Sequence, residues 1–330
     1  MNNKMTTIIC DLKGDKACAV TFTTDDALYK SCLLYLSKFK ELGLKGTAAF
    51  TLDMIKSNSE ASGSENSDSG TWNEWRNFMN EGYFDIANHT KSHAYLDKLP
   101  REDLEIEVNE TRRILMRHFP EQKILCMANP YVVSSDAVDK VIKQQHYSAR
   151  NGVVGFNNLN PNDQEWYHLN FQLALHDTKV ETMNEWIDQA CSNHAWLIEL
   201  WHGVDGQGWE PPSLETLSAH LSYLAGQLDT VWNGTMDEVT QYIRERQSAR
   251  VETTVLENDQ IMVKLKTNLN SSLFNYPLTL KTTLLDNWTK IIMTQGNRTT
   301  HPATSLIDGV RCVIYDALPD AGYIILTKCG

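Results

Sequence analysis

The residue types with most chemistry in them fall in two short stretches. Asp25 and Asp26 are adjacent, directly after the β-rich run Ala19 to Thr24, and a helical pattern follows them. Two neighbouring carboxylates repel, so a fold that sets both at a strand's carboxyl end offsets them with a cation or a shared proton. Donors for such a cation lie downstream, where His89 and His93 stand four apart in Asn88-His89-Thr90-Lys91-Ser92-His93. On a helical turn that spacing puts both imidazoles on one face, able to grip one ion. Each signal alone is modest: an Asp pair after a strand is more often a turn or a helix cap, and a His-x-x-x-His pair also occurs on ordinary solvated helices.

The elements that must position these residues are read from hydrophobic periodicity. Ala17 to Thr23 and Thr6 to Cys10 are β-type runs, expected to form a hairpin feeding the Asp pair. Leu28, Cys32, Leu33, Leu36, Phe39 and Leu42 recur at helical spacing until Gly43. Strand-type runs over 47–51, 83–87, 123–127, 195–201 and 230–232 alternate with helical patterns over 72–80, 101–119, 134–145, 180–192, 213–224 and 237–250. The Ser- and Asn-rich stretch 58–70 is expected to be a solvent-facing loop, and no elements are assigned between Asn151 and Asp177. This βα alternation argues for an α/β barrel or an open α/β sheet. From about Val251 the pattern changes to short β runs with turn signals at Asn258-Asp259, Asp286-Asn287 and Gly296-Asn297, which reads as a small all-β sandwich. The expected division is 1–250 for the α/β part and 251–330 for the β part. Phe274, Tyr276 and Trp288 are the aromatics there, with core packing favoured over sugar binding.

Composition narrows the function classes. The 330 residues are 42% hydrophobic, enough for a large core. With 42 acidic against 30 basic residues the net charge is −12, which argues against nucleic acid or an anionic membrane as partner. There is no apolar run of membrane-spanning length and no secretory pattern in Met1 to Thr7, so the chain as written is expected in the cytoplasm. An extracellular or periplasmic place is the expectation if a leader has been removed. The seven cysteines are scattered, lack any Cys-x-x-Cys pair and read as mostly buried free thiols.

Two later stretches complete the constellation: Ala128-Asn129-Pro130-Tyr131 and Leu200-Trp201-His202, each at an expected strand end. With Thr21 to Asp26 and His89 to His93 before them, these resemble, in order, the motifs of the polysaccharide deacetylase family, the fourth family of carbohydrate esterases. The resemblance covers roughly residues 17 to 245. It implies a distorted (β/α) barrel, with the all-β sandwich following it. It also implies a divalent metal, zinc ahead of cobalt, nickel or manganese, and removal of acetyl groups from N-acetylated or O-acetylated sugars or oligosaccharides.

Position by position, the resemblance gives Asp25 as general base, Asp26, His89 and His93 as metal ligands, and His202 as the acid that protonates the leaving group. It also gives the backbone amide of Tyr131 as oxyanion donor and Leu200 as lining for the acetyl methyl. Trp209, seven residues past His202, is a candidate to stack a sugar ring.

The chain departs from the family pattern at Ala128, where many members carry an arginine that pairs with the base, and at Thr24 and Ala27, where Phe and Gly are common. Arg150 is a candidate replacement cation, although a lone arginine is more often a surface or ion-pair residue. No clear partner for His202 stands out; Asp163 with Trp166, or Asp177 beside His176, are the candidates. Two other readings compete with deacetylation: hydrolysis of a different amide, such as a cyclic imide or ureide, and a carbohydrate-binding protein whose catalysis is weakened at Ala128.

Overall fold

The computed structural model describes residues 5–59, 68–257 and 259–329. Most of the expected loop 58–70 and the turn residue Asn258 lie outside them. The chain forms two compact units, Ala17–Thr240 and a second made of Met1–Lys16 with Gln241–Gly330.

The first strand, β1 (Thr7–Ile9), belongs to the second unit. It pairs antiparallel with a strand over Leu278–Thr283, not with the run that precedes the Asp pair. The expected hairpin is therefore wrong: the mostly polar stretch between the two runs permits a tight turn but does not require one, its Leu12 is buried, and the partner strand lies far away in sequence.

In the unit 17–240, the strands β2 (Cys18–Thr24), β3 (Gly46–Phe50), β4 (Phe84–Asn88), β5 (Cys126–Ala128) and β6 (Ser148–Val154) lie side by side. A two-residue strand β7 (Asn157–Asn158) precedes β8 (Leu169–Leu173) and β9 (Ala195–Trp201). The order β2-β3-β4-β5-β6-β8-β9 is parallel throughout, and β2 pairs with β9 from Ala19↔Trp196 to Thr24↔Trp201, which closes a seven-stranded barrel. β10 (Val231–Asn233) adds to β2, and β7 runs antiparallel to β9. The closed, helix-covered barrel explains why β2, β3, β4 and β9 are buried at every residue and read as continuous runs without polar alternation.

The helices are α1 (Tyr29–Leu42), α2 (Trp72–Asn80), α3 (Arg101–Leu104), α4 (Thr111–His118), α5 (Asp136–Ile142), α6 (Val180–Ser192), α7 (Leu214–Gly226) and α8 (Met236–Ser248). Their ends follow local chemistry. Gly43, at φ 69°, ends α1 and returns its N–H to Phe39 O. Thr71 and Glu74 form a capping box on α2, and Ser135 and Ser213 cap α5 and α7. Between α3 and α4 the helix continues through a π-helical stretch, Glu105–Glu110. Under α1 and α2, Phe22 meets Tyr35, Phe39 and Trp201 at ring separations of 4.9, 5.1 and 5.3 Å. Gly46 admits this packing, since a Cβ there would lie 2.6 Å from Phe39 and 2.9 Å from Phe84.

Past the end of α8, the other unit is built of β-strands. β1, β13 (Leu278–Thr283), β17 (Val310–Ala317) and β16 (Thr304–Ile307) form one antiparallel sheet. β11 (Arg250–Leu256), β12 (Gln260–Lys266), β18 (Ile324–Lys328), β14 (Ile291–Gln295) and β15 (Arg298–Thr300) form another. Alternating burial along β12 gives that strand one inward face, with Ile261, Val263 and Leu265 inside. Phe274 and Trp288 are buried and Tyr276 is half-buried.

Candidate active site

Asp25 follows β2 at the carboxyl end of the barrel, its N–H bonded to Trp201 O at 2.9 Å, so the seam ladder continues one residue past the strand. His89 follows β4 in the same way, donating its N–H to Phe50 O. Tyr131 follows β5, and His202 follows β9. The parallel barrel therefore delivers four motifs to one rim. Asp25, Asp26, His89, His93, Tyr131, Leu200, His202 and Trp209 all line one cavity of about 540 Å³, together with Asn129, Val132, Arg150, Phe171 and Leu173.

The histidine pair meets there by a different route from the one expected. Residues 89–95 are not helical; Thr90 and His93 sit in the left-handed region at φ 70° and 61°. The loop is held by side chains. Asn88 Oδ1 accepts from Thr90 N at 3.0 Å, Thr90 Oγ1 from His93 N at 3.0 Å, and the Glu107 carboxylate from Lys91 N, Ser92 N and Ser92 Oγ at 2.8, 2.9 and 2.6 Å. A spacing of four brings the rings together in either conformation, 4.9 Å between centroids, so the pairing was legible and its backbone was not.

His89 Nδ1 donates to Ala128 O at 2.7 Å, which leaves Nε2 facing the carboxylates; burial alone would lower the His89 pKa, but Asp25 and Asp26 outweigh it and raise it. Nε2 lies 3.5 Å from Asp26 Oδ1, and His93 Nε2 lies 3.3 Å from the same oxygen. Asp26, His89 and His93 each offer one ligand atom within 4.8 Å of the others. Asp26 Oδ1 and His89 Nε2 are buried with no hydrogen-bond partner. Two orphaned buried polar atoms of this kind, converging with a third donor, fit a small divalent cation. Burial pushes Asp26 up, but His89 and His93 outweigh it and hold its carboxyl at about 2.

Asp25, only 3% exposed, is held by Arg150 from β6, a strand that does not pair with β2. Arg150 Nη2 reaches both Asp25 oxygens at 2.6 Å. Of the readings open for this arginine, the structure shows the ion pair, away from the surface: its side chain is fully buried, on β6, over the ring of Phe171 at 5.5 Å. Ala128 and Arg150 are register partners across β5 and β6, so the cation missing at position 128 stands one strand over at the same height. Burial would raise the Asp25 carboxyl; Arg150, with His89 and His202, holds it below the usual carboxylate range.

His202 is half-buried, and burial lowers its pKa. Its Nδ1 has no hydrogen-bond partner. None of the four candidate partner residues reaches it. Asp163 and Asp177 are exposed, Trp166 is buried away from the cavity lining, and His176 pairs with Glu210 on the surface. Trp209 meets the His202 ring edge-on at 5.1 Å and stays 54% exposed. Gly203 lets the chain turn away after His202, since a Cβ there would meet Gln207 O at 1.8 Å. Behind β9, Glu199 accepts from Trp201 Nε1 at 3.2 Å and pairs with the buried His220 at 2.9 Å, anchoring the strand that carries His202.

Residues 13–149 match the family model described as polysaccharide deacetylase. The match takes in Asp25, Asp26, His89, His93 and Tyr131 and stops before Arg150, Leu200, His202 and Trp209. A curated relative, a gellan lyase from a Bacillus species, is 24% identical over 94% of this chain, and the chain spans 13% of that protein's length. Similar solved structures include a family 4 carbohydrate esterase from Streptomyces lividans in complex with acetate, at 16% identity, 66% of this chain, 93% of that one and a TM-score of 0.44. A family 4 pseudoenzyme from Bacillus anthracis matches at 15% identity, 67% of this chain, 65% of that one and 0.45. A peptidoglycan deacetylase from Bacillus subtilis matches at 14%, 72%, 95% and 0.43.

Three contributors to the site escaped the sequence reading. Phe171 and Leu173, on β8, fell in the stretch left without elements, and Glu107 sits mid-helix with no motif to mark it. The alternation Leu169, Phe171, Leu173 was the one signal available for that strand.

Proposed function

We propose that this chain is a metal-dependent hydrolase that removes acetyl groups from an N-acetylated or O-acetylated sugar, glycan or oligosaccharide. The observation that carries the reading is the convergence of Asp26, His89 and His93 on one point, with two of their ligand atoms buried and unpartnered, beside the ionised Asp25. These three would hold the ion. When bound, a divalent metal such as zinc polarises the acetyl carbonyl and acidifies water.

The chain's own residues do the rest. Asp25 Oδ1 and Oδ2, kept ionised by Arg150, accept the proton of the attacking water. The backbone N–H of Tyr131 is the donor toward the developing oxyanion. His202 gives its proton to the leaving nitrogen or oxygen, which departs poorly without one. Leu200, with Phe171 and Leu173, forms an apolar wall suited to a methyl group. Tyr131 and Trp209, 49% and 54% exposed, offer rings at the mouth. The gellan lyase match supports a polysaccharide as substrate over a free sugar.

Arg150 bears on the competing reading of a weakened binding protein. That reading rested on a base left without its cation, and the base has one.

The test is acetate release from a panel of acetylated oligosaccharides, with protein stripped by chelator and reloaded with zinc, and Asp25→Asn as control. Zinc-dependent release abolished in the variant supports the proposal. No release from any sugar at stoichiometric zinc overturns it, and turnover of cyclic imides instead would move the activity to other amides.

A further inference from the structure

Cys18 Sγ and Cys191 Sγ lie 2.8 Å apart, closer than two non-bonded sulfurs settle. A disulfide bond is about 2.05 Å long, so a movement of about an ångström or less completes one. The buried Cys126 is different: it contacts the hydroxyls of Ser148 and Thr240.

The place of the pair gives it a consequence. Cys18 opens β2, and Cys191 lies in the last turn of α6, which leads through His194 into β9. β2 and β9 are the strands whose pairing closes the barrel. The two sulfurs thus straddle the closing seam at its amino end, opposite the rim that carries Asp25 and His202. His194 Nδ1 lies 3.3 Å from Ala17 O at the same spot.

We propose that Cys18 and Cys191 form an intramolecular disulfide that fastens the barrel seam. The co-reactant is a small disulfide such as oxidised glutathione. The thiolate of the half-buried Cys191 attacks one of its sulfurs, breaking that S–S bond, forming a mixed disulfide and releasing one glutathione thiolate. Cys18, after losing its proton to solvent, attacks Cys191 Sγ and expels the second glutathione. Two protein thiols are oxidised, and one glutathione disulfide is reduced to two thiols. Burial raises the Cys18 pKa, which makes the second step slow and favours mildly alkaline conditions. The bond closes a loop with a sequence separation of 173, and long loops are where a cross-link restrains the unfolded chain most.

The experiment incubates the whole protein with oxidised glutathione, alkylates free thiols, digests without reduction and maps the peptides by mass. The expected product joins the Cys18 and Cys191 peptides with two hydrogens lost. The thermal midpoint should rise by roughly 5–10 °C, returning on reduction with dithiothreitol. Cys18→Ser puts a hydroxyl in a fully buried position, so the half-buried Cys191→Ser carries the comparison and should show neither link nor shift. Both cysteines recovered alkylated, or a persistent glutathione adduct on Cys191 with Cys18 free, overturns the proposal. A linked peptide with an unchanged midpoint overturns the fastening role. Neither readout depends on the hydrolase activity.

Discussion

The barrel carries a carboxylate pair at each end, buried except for the half-buried Asp26, and their environments drive them opposite ways. At the carboxyl rim, Asp25 and Asp26 face Arg150, His89, His93 and His202, and both carboxyls are held below their usual range despite burial. At the amino end, Asp85 on β4 and Asp237 in the first turn of α8 face each other and backbone N–H groups. Asp85 Oδ2 accepts from Asp237 N at 2.9 Å, and the Asp237 oxygens accept from Leu125 N at 3.0 and 3.1 Å. Arg112, nearest in charge, spends its donors on Ile124 O and Lys123 O. Burial therefore prevails: Asp85 is pushed well up, and Asp237 up to about 6. An Asp pair is thus not a site by its residue types. What separates a reactive pair from a structural one here is whether cations with free geometry share its cavity.

The sharpest way to break the contrast is to remove charge from the rim. Asp25→Asn should lower kcat for acetate release about 10²–10⁴-fold, the usual worth of a general base. It should also cost about 3 kcal/mol in urea denaturation, because Arg150 is left buried beside a neutral group. Asp237→Asn should leave kcat unchanged; a comparable loss there would erase the distinction between the two ends.

Arg150→Met should lower kcat by roughly 10–100-fold, since Asp25 then loses the charge that keeps it ionised. The register partnership offers a rescue: Ala128→Arg combined with Arg150→Ala restores a cation at the same height. A double-mutant cycle on stability and kcat should show a favourable coupling of about 0.5–3 kcal/mol. Strict additivity would mean that height on the barrel wall is not what matters.

The amino-end pair makes a prediction of opposite sign to the rim. A carboxyl whose folded pKa lies above its unfolded value of about 3.9 favours the fold in acid and loses that contribution as pH rises through the folded value. For Asp237 the window runs from about pH 4 to the raised value of about 6. Stability should fall across it by about 1–3 kcal/mol, and Asp237→Asn should flatten that limb in denaturation curves taken at several pH values. Unchanged pH dependence in the variant would assign the limb to other groups.

The smallest effect concerns backbone strain, which gathers at the rim: Asp26, Ala27, Tyr131 and Val132 all have φ between 50° and 71°. Ala27, buried at φ 50°, has a Cβ that the left-handed region disfavours. Ala27→Gly should raise stability by up to about 1 kcal/mol, seen as a thermal midpoint shift of a few degrees. A loss would mean that the methyl's packing outweighs the strain.

Most of the barrel was legible because its strands and helices alternate with clear periods, and α2 was read to the residue. The ends of the motif strands were legible because four stretches kept a familiar order. What stayed hidden was set by neighbours far off in the chain. Arg150 could not be told from an ordinary surface or ion-pair residue because its burial depends on a strand pair, β5 with β6, that no local pattern announces. β6 and β8 lay unread since Gly152 and the polar stretch 157–165 break their periodicity. β1 found its partner more than 260 residues away, at Thr282 opposite Thr7, where local turn chemistry has no say. The histidine loop took its shape from Glu107, a residue on another element.

That last dependence reaches further than the loop. Glu107 sits in the π-helical stretch Glu105–Glu110, whose widened turn sets which way its carboxylate points. Deleting one residue between Glu105 and Glu110 would let that turn close to a regular α-helix and change the direction of the side chains within it, Glu107 among them. Here it would withdraw the acceptor for three donors of the histidine loop. Tolerance to length changes along 101–118 should therefore follow the helix's register, with Glu107 acting as the tie between an unremarkable outer helix and the two histidines.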